Sequence, residues 1–222
     1  MSRIIFDIET IGKDFDSLDD TIKDYLLRWT KTEEEIKGVR EGTALSPLTG
    51  QIIAIGMLNP DTEKGVVYYQ SLDKNPPLPF EEDNIRYETG TEKEIIKKFW
   101  SSIKSYKQFI TFNGRGFDCP YLLIRSAIHK IKPTKPLMPN RYSDSLHVDL
   151  LDQLTFYGAS KRYSLDMWCQ AFGIKSPKTE MSGSMVGEFF KAGRYEDIAK
   201  YCAQDLWATK ELFYYWDNFI RG

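Results

Sequence analysis

Three short clusters hold residues of types and spacings suited to chemistry. Asp7-Ile8-Glu9 sets two carboxylates at i and i+2. On a strand these two side chains leave the same face, close enough to share one or two cations. Asn113-Gly114-Arg115-Gly116-Phe117-Asp118 brings a third acid after two glycines. Tyr201-Cys202-Ala203-Gln204-Asp205 sets a phenol and a fourth acid four residues apart, stacked on one face if the segment is helical. Each cluster has a plainer reading. About one Asp-x-Glu is expected by chance in a chain this acidic, and a second stands at Asp61-Thr62-Glu63. Asp118 alone reads as an ordinary helix cap, and Tyr201 with Asp205 as a core aromatic beside a solvated charge.

The chain's 32 Asp and Glu contrast with two His and three Cys. No Cys-x2-Cys or His-Glu-x-x-His spacing occurs, which excludes a zinc site built from Cys and His. Histidine general-base chemistry has only His129 or His147 to run through. Carboxylates are the plentiful reactive groups, and they suit hard cations such as magnesium and manganese. The net charge of -2 neither requires nor forbids a nucleic-acid substrate, so any such contact must come from local basic patches.

The elements that must position these residues can be read from periodicity. Ile4–Ile8 is a β-branched apolar run interrupted by Asp7, a strand with a polar residue inside it. Leu18, Ile22, Tyr25, Leu26 and Trp29 fall on one helical face, a polar helix follows over Thr32–Val39, and Gly42–Gly50 reads as a loop. Gln51–Leu58 and Gly65–Gln70 form a hairpin that completes an antiparallel three-strand meander. Asp73–Glu82, with three prolines, is a loop, and Thr91-x-x-Glu94 is a capping box opening a helix with Ile95, Ile96, Phe99, Trp100 and Ile103 inward. A strand at Gln108–Phe112 leads to a helix from Asp118 to about Lys130, and the Pro-rich Ile131–Asn140 is an irregular loop. After a short strand near Leu146–Leu150 the chain is helical at Leu150–Phe156, Ser164–Phe172, Met185–Ala192 and Tyr195–Phe219. The five tryptophans, Trp29 among them, read as core or half-buried. Strands followed by alternating strands and helices predict an α/β fold: a mixed sheet, an antiparallel three-strand meander plus parallel strands, with helices on both faces. Residues 1–222 are expected to form one domain with an inserted helical and loop segment at about 12–50.

Taken in order, Asp7-x-Glu9 on a strand, Asn113-x3-Phe117-Asp118 at a strand-to-helix turn and Tyr201-x3-Asp205 on the last helix resemble the three motifs of the DEDDy class of 3′-5′ exonucleases. The second motif is most similar to the proofreading domain of family B DNA polymerases. His147-Val148-Asp149-Leu150 and Tyr157-Gly158-Ala159-Ser160-Lys161 add similarity to stand-alone predicted exonucleases related to that domain. The resemblance implies a ribonuclease H-like fold and phosphodiester hydrolysis with two divalent cations, Mg2+ or Mn2+, held by Asp7, Glu9, Asp118 and Asp205, with Asp7 bridging. It implies that Tyr201 orients the attacking water; a phenol with an ordinary pKa near 10 is a poor base at neutral pH. The sister class carries a His five residues before the last Asp, and that position is Lys200 here. By the same resemblance Thr10 approaches the terminal nucleotide, Asn113 and Phe117 shape the strand's path, and Lys161 contacts phosphate. Core packing of Phe117 and a solvated basic face at Lys161 are the plainer alternatives. His147 and Asp149 are read as structural supports.

The implied substrate is nucleic acid with a free 3′ end, single-stranded DNA first, with any replication or repair partner unspecified. A non-catalytic nucleic-acid-binding module and a structure-specific endonuclease are the competing readings. Met1–Asp7 meets a charge too soon for a signal peptide and no run approaches a membrane span, so a cytoplasmic setting with no membrane partner is expected. Cys119, Cys169 and Cys202, scattered in apolar surroundings, suit reduced thiols.

Overall fold

The computed structural model describes residues 2–176 and 181–222. Its first strand, β1 (Arg3–Gly12), alternates strictly: Ile4, Phe6 and Ile8 enter one core, while Ile5 and Ile11 enter another on the opposite face. By the same alternation Asp7 and Glu9 share the face of Ile5 and Ile11. After β1 come α1 (Asp20–Leu27), α2 (Glu33–Glu41), β2 (Gly50–Asn59), β3 (Lys64–Tyr69), β4 (Phe80–Glu82) and β5 (Ile85–Thr89). The remainder is α3 (Glu92–Ile103), β6 (Gln108–Thr111), α4 (Asp118–Ile128), β7 (His147–Asp149), α5 (Leu150–Leu154), α6 (Leu165–Phe172), α7 (Val186–Lys191) and α8 (Tyr195–Phe219).

The strands form one seven-stranded mixed sheet in the order β4-β5-β3-β2-β1-β6-β7. β1, β2 and β3 are the expected antiparallel meander, and β6 and β7 join parallel to it. One face packs on α3 and α4 and the other on α7 and α8, so both faces are covered. α3 opens with the expected capping box, Thr91 and Glu94 each satisfying the other's backbone N–H. Its buried Ile95, Ile96, Phe99, Trp100 and Ile103 contribute about 1.5–3 kcal/mol each at most.

Two expectations need correction. Asp73–Glu82 is not loop throughout: Phe80–Glu82 form β4, which turns through Asp83 and Asn84, both at positive φ, into β5, and β5 runs parallel to β3. An Asp-Asn pair suits such a two-residue turn, but β4 is short and its acids are exposed, so it carries no apolar alternation to read. The second correction concerns α1, which forms as expected but turns its apolar face outward. Trp29, just beyond it, is 78% exposed rather than packed, and Tyr25 is exposed with Arg28 over its ring. Helical spacing reports a face and not what covers it.

Candidate active site

Asp7 and Glu9 project from the central strand toward α8, which brings Tyr201 and Asp205. One carboxylate oxygen each from Asp7, Glu9 and Asp205 lie within 4.8 Å of one another. Three hard oxygen donors this close fit a divalent cation and repel one another without one. Burial, reinforced by the charges of Asp118, Asp205 and Glu9, holds the Asp7 carboxyl well above its ordinary range. Burial with the charges of Asp205 and Asp118 does the same to Glu9, which is 8% exposed.

Asp118 stands outside that trio. It sits at the start of α4, where β1 and β6 have ceased to pair, and its Oδ1 accepts the Ile8 N–H at 3.0 Å. The carboxylate therefore takes a strand's place beside β1 between the two motif acids. Burial pushes its pKa up to about 7, against the opposing pull of backbone hydrogen bonds from its own N–H and from Ile8. The turn that delivers it is tightly built. Asn113 lies at φ 61, and a Cβ at Gly114 would come within 2.3 Å of Thr111 Oγ1. Asp149 clamps this turn: its Oδ1 accepts the Asn113 N–H at 3.0 Å and its Oδ2 the Arg115 N–H at 2.8 Å. His147 Nε2 lies 2.8 Å from Thr111 Oγ1 below, and burial drops its pKa to about 3, which keeps it neutral. Both residues are supports, as expected.

The Tyr201 hydroxyl hydrogen-bonds Asp205 one turn along α8. Burial and the neighbouring charges of Asp205, Glu9 and Asp7 push its ionisation far above the ordinary value, so it remains a neutral donor. Cys202 lies behind the acids, its Sγ 3.9 Å from both the carbonyl oxygen and Oδ2 of Asp7. Its thiol is also held protonated, by burial and then by Asp7, so it donates to a carboxylate. Spacing gave no sign of this contact, which depends on how α8 crosses β1.

The remaining predicted residues are dispersed around this centre. Thr10 Oγ1 donates to the Ala44 carbonyl at 2.9 Å, joining β1 to the 12–50 segment. Phe117 is half-buried against Tyr121, with ring centroids 5.3 Å apart, and Asn113 Oδ1 accepts from Arg162 at 3.1 Å. Lys161 is exposed, its Nζ 5.4 Å from the Tyr163 ring centroid. One support was invisible in the sequence. Glu9 pairs with Ala54 and Thr10 with Ile52, so Ile53 is the extra residue of a β-bulge beside the metal-ligand candidates. The bulge's loose backbone groups are taken by side chains: Ile52 N–H donates to Glu92 Oε1 at 2.8 Å and its carbonyl accepts from Gln70 Nε2 at 2.6 Å. Glu92 in turn is gripped by Arg125 at 2.7 and 2.6 Å.

Residues 49–219 match a family described as predicted 3′-5′ exonucleases related to the exonuclease domain of PolB. The chain belongs to this family. The match contains Asp118, Tyr201 and Asp205, while Asp7 and Glu9 precede it. The chain is 31% identical to DNA polymerase 1 of Pyrococcus abyssi over 180 residues, covering 73% of the chain and 22% of that polymerase. It is 23% identical to DNA polymerase 1 of Sulfurisphaera ohwakuensis over 239 residues, 96% of the chain and 27% of the relative. In fold it matches the family B DNA polymerase of the hyperthermophilic archaeon Pyrobaculum calidifontis with a TM-score of 0.61 at 18% identity, over 97% of this chain and 24% of that one. The expected ribonuclease H-like architecture is thus the observed one. The chain spans about a quarter of the length of each of these relatives. Among the described residues no helix is long and apolar enough to cross a membrane.

Proposed function

We propose that this chain is a metal-dependent 3′-5′ exonuclease that removes nucleotides from single-stranded DNA ends in the cytoplasm, working as one unit over its whole length. The observation that carries the reading is the convergence of Asp7, Glu9 and Asp205 within 4.8 Å, with the Tyr201 hydroxyl bonded to Asp205. Asp7, Glu9, Asp118 and Asp205 would hold two cations, Mg2+ or Mn2+. Bound there, such ions supply a low-pKa water and stabilise the charge of the leaving oxygen. The protein's own part is to position. Asp7 would contribute to holding both ions, and Asp118 would approach them from the α4 side with its orientation set by the Ile8 N–H. Tyr201, a neutral donor, orients the attacking water rather than taking its proton. Asn113, Phe117 and Lys161 guide the strand. Thr10 contributes through its backbone and methyl group, since its hydroxyl is engaged with Ala44.

The test is release of mononucleotides from a 3′-labelled oligonucleotide in magnesium or manganese. Wild type releases them and Asp7→Ala does not. Equal release by both, or internal cleavage of a closed circle, overturns the reading.

A further inference from the structure

We propose that the loop after α5, together with Tyr142, forms a stacking platform for the single-stranded segment behind the 3′ terminus. This rests on the exonuclease reading for its orientation but not for its chemistry. Phe156, Tyr157 and Gly158 lie at φ 49, 59 and 96, three successive residues in the left-handed region, two of them aromatic. Such a backbone is unfavourable for side-chain-bearing residues and persists only when the surroundings hold it. Here Tyr157 N–H donates to the Asp152 carbonyl at 2.7 Å, Ser160 N–H to the Thr155 carbonyl at 3.1 Å, and Gln153 Nε2 to the Tyr157 hydroxyl at 3.0 Å. The strained turn buries nothing with Phe156: its ring is 63% exposed. Tyr142 is 74% exposed, its ring stands 5.0 Å from that of the half-buried Tyr157, and Tyr142, Tyr157 and Phe156 line one surface cavity.

Cations accompany the rings. Arg141 grips the buried Asp152 beside the platform at 2.8 and 2.6 Å and Arg162 approaches it at 3.8 Å, Lys161 precedes Arg162 in the chain, and Asp144, which lines the same cavity as Tyr142, Phe156 and Tyr157, is paired with Arg221 at 2.9 Å. The patch is positive on a chain whose net charge is -2. Its direction is set by Arg162, whose Nη2 donates to Asn113 Oδ1 at 3.1 Å at the head of the turn leading to Asp118. The platform therefore leads outward from the acid cluster. Rigid exposed rings beside guanidinium and ammonium groups fit unstacked bases joined by phosphates, with little preference for base identity. A duplex keeps its bases stacked on each other and offers them no face.

The experiment measures anisotropy of fluorescein-labelled oligothymidylates with the full chain in EDTA, which stops metal-dependent hydrolysis. Phe156→Ala and Tyr142→Ala are each expected to weaken binding of a dodecamer by about tenfold, the lower range for one lost stacking contact. Binding of a trimer, too short to leave the acid cluster, should change by less than about twofold. Phe156→Trp should restore dodecamer affinity, and Lys161→Ala should reduce the salt slope by about one. Unchanged dodecamer binding in both alanine variants, or an equal loss for trimer and dodecamer, overturns the platform. The two readings fail separately. If wild type degrades DNA while Phe156→Ala binds the dodecamer normally, the platform alone is wrong. If wild type degrades nothing yet loses dodecamer binding on Phe156→Ala, the platform stands without the exonuclease.

Discussion

Asp118→Asn should stabilise the metal-free protein, and the gain should grow with pH. The carboxyl is raised from an ordinary 3.8 to about 7, chiefly by burial. A group whose folded pKa is raised imposes no penalty below its unfolded pKa, because both states are then protonated. Stability is lost as pH rises from about 4, where the unfolded chain ionises first, and levels off above about 7. At about 1.4 kcal/mol per pH unit, the full penalty at Asp118 approaches roughly 4 kcal/mol, of which roughly 3 kcal/mol develops between pH 5 and pH 8. Asparagine removes the charge and keeps an oxygen for the Ile8 N–H, so the gain appears with little loss of hydrogen bonding. Asp7 and Glu9, raised by the same causes, steepen the wild-type profile further. Urea unfolding in EDTA at pH 5 and pH 8 reads this directly. Wild type should be less stable at pH 8, and Asp118→Asn should recover roughly 3 kcal/mol more at pH 8 than at pH 5. A flat wild-type profile, or parallel profiles for the two proteins, would show that the Asp118 carboxyl carries no burial penalty.

Other outcomes follow from the same geometry. Tyr201→Phe should slow turnover by roughly 100-fold, the scale of a lost positioning contact, while manganese affinity by calorimetry stays near wild type; Asp205→Asn should lower both, and equal loss of metal affinity would overturn that division of roles. Gln70→Leu leaves the Ile52 carbonyl without its side-chain donor and should destabilise by about 1–3 kcal/mol. If the bulge positions Glu9, this variant should also weaken manganese binding in wild type but not in Glu9→Gln, a double-mutant cycle that a purely structural role would not satisfy. Gly114→Ala forces the turn away from Thr111, and should weaken metal binding and cost about 1–3 kcal/mol of stability by thermal melting.

The elements and their order were legible because apolar periodicity and caps agree in this chain. α8 runs from Tyr195 to Phe219 as read, and α3 starts at its capping box. The motif acids were legible as types and spacings, and Asp7, Glu9 and Asp205 do converge. What was illegible is relational. Asp118 stands apart from the trio because a backbone N–H claims it, and the bulge at Ile53 is set by Gln70 and Glu92, residues remote in sequence. β4 and β5 were both missed: β4 is an exposed edge strand with no buried face to advertise it, and β5 is only five residues long, with Ile85 and Tyr87 alone turned into the core. Trp29 was misplaced because amphipathic spacing cannot distinguish a helix on a core from one whose apolar side faces outward.

The most direct test of the central claim is anomalous diffraction from crystals holding manganese and a short oligonucleotide with a free 3′ end. Two manganese peaks roughly 3.5–4 Å apart are expected, with Asp7 touching both and the scissile phosphate against them. A single peak remote from Asp7, or none at the acid cluster with the oligonucleotide bound elsewhere, would contradict that claim.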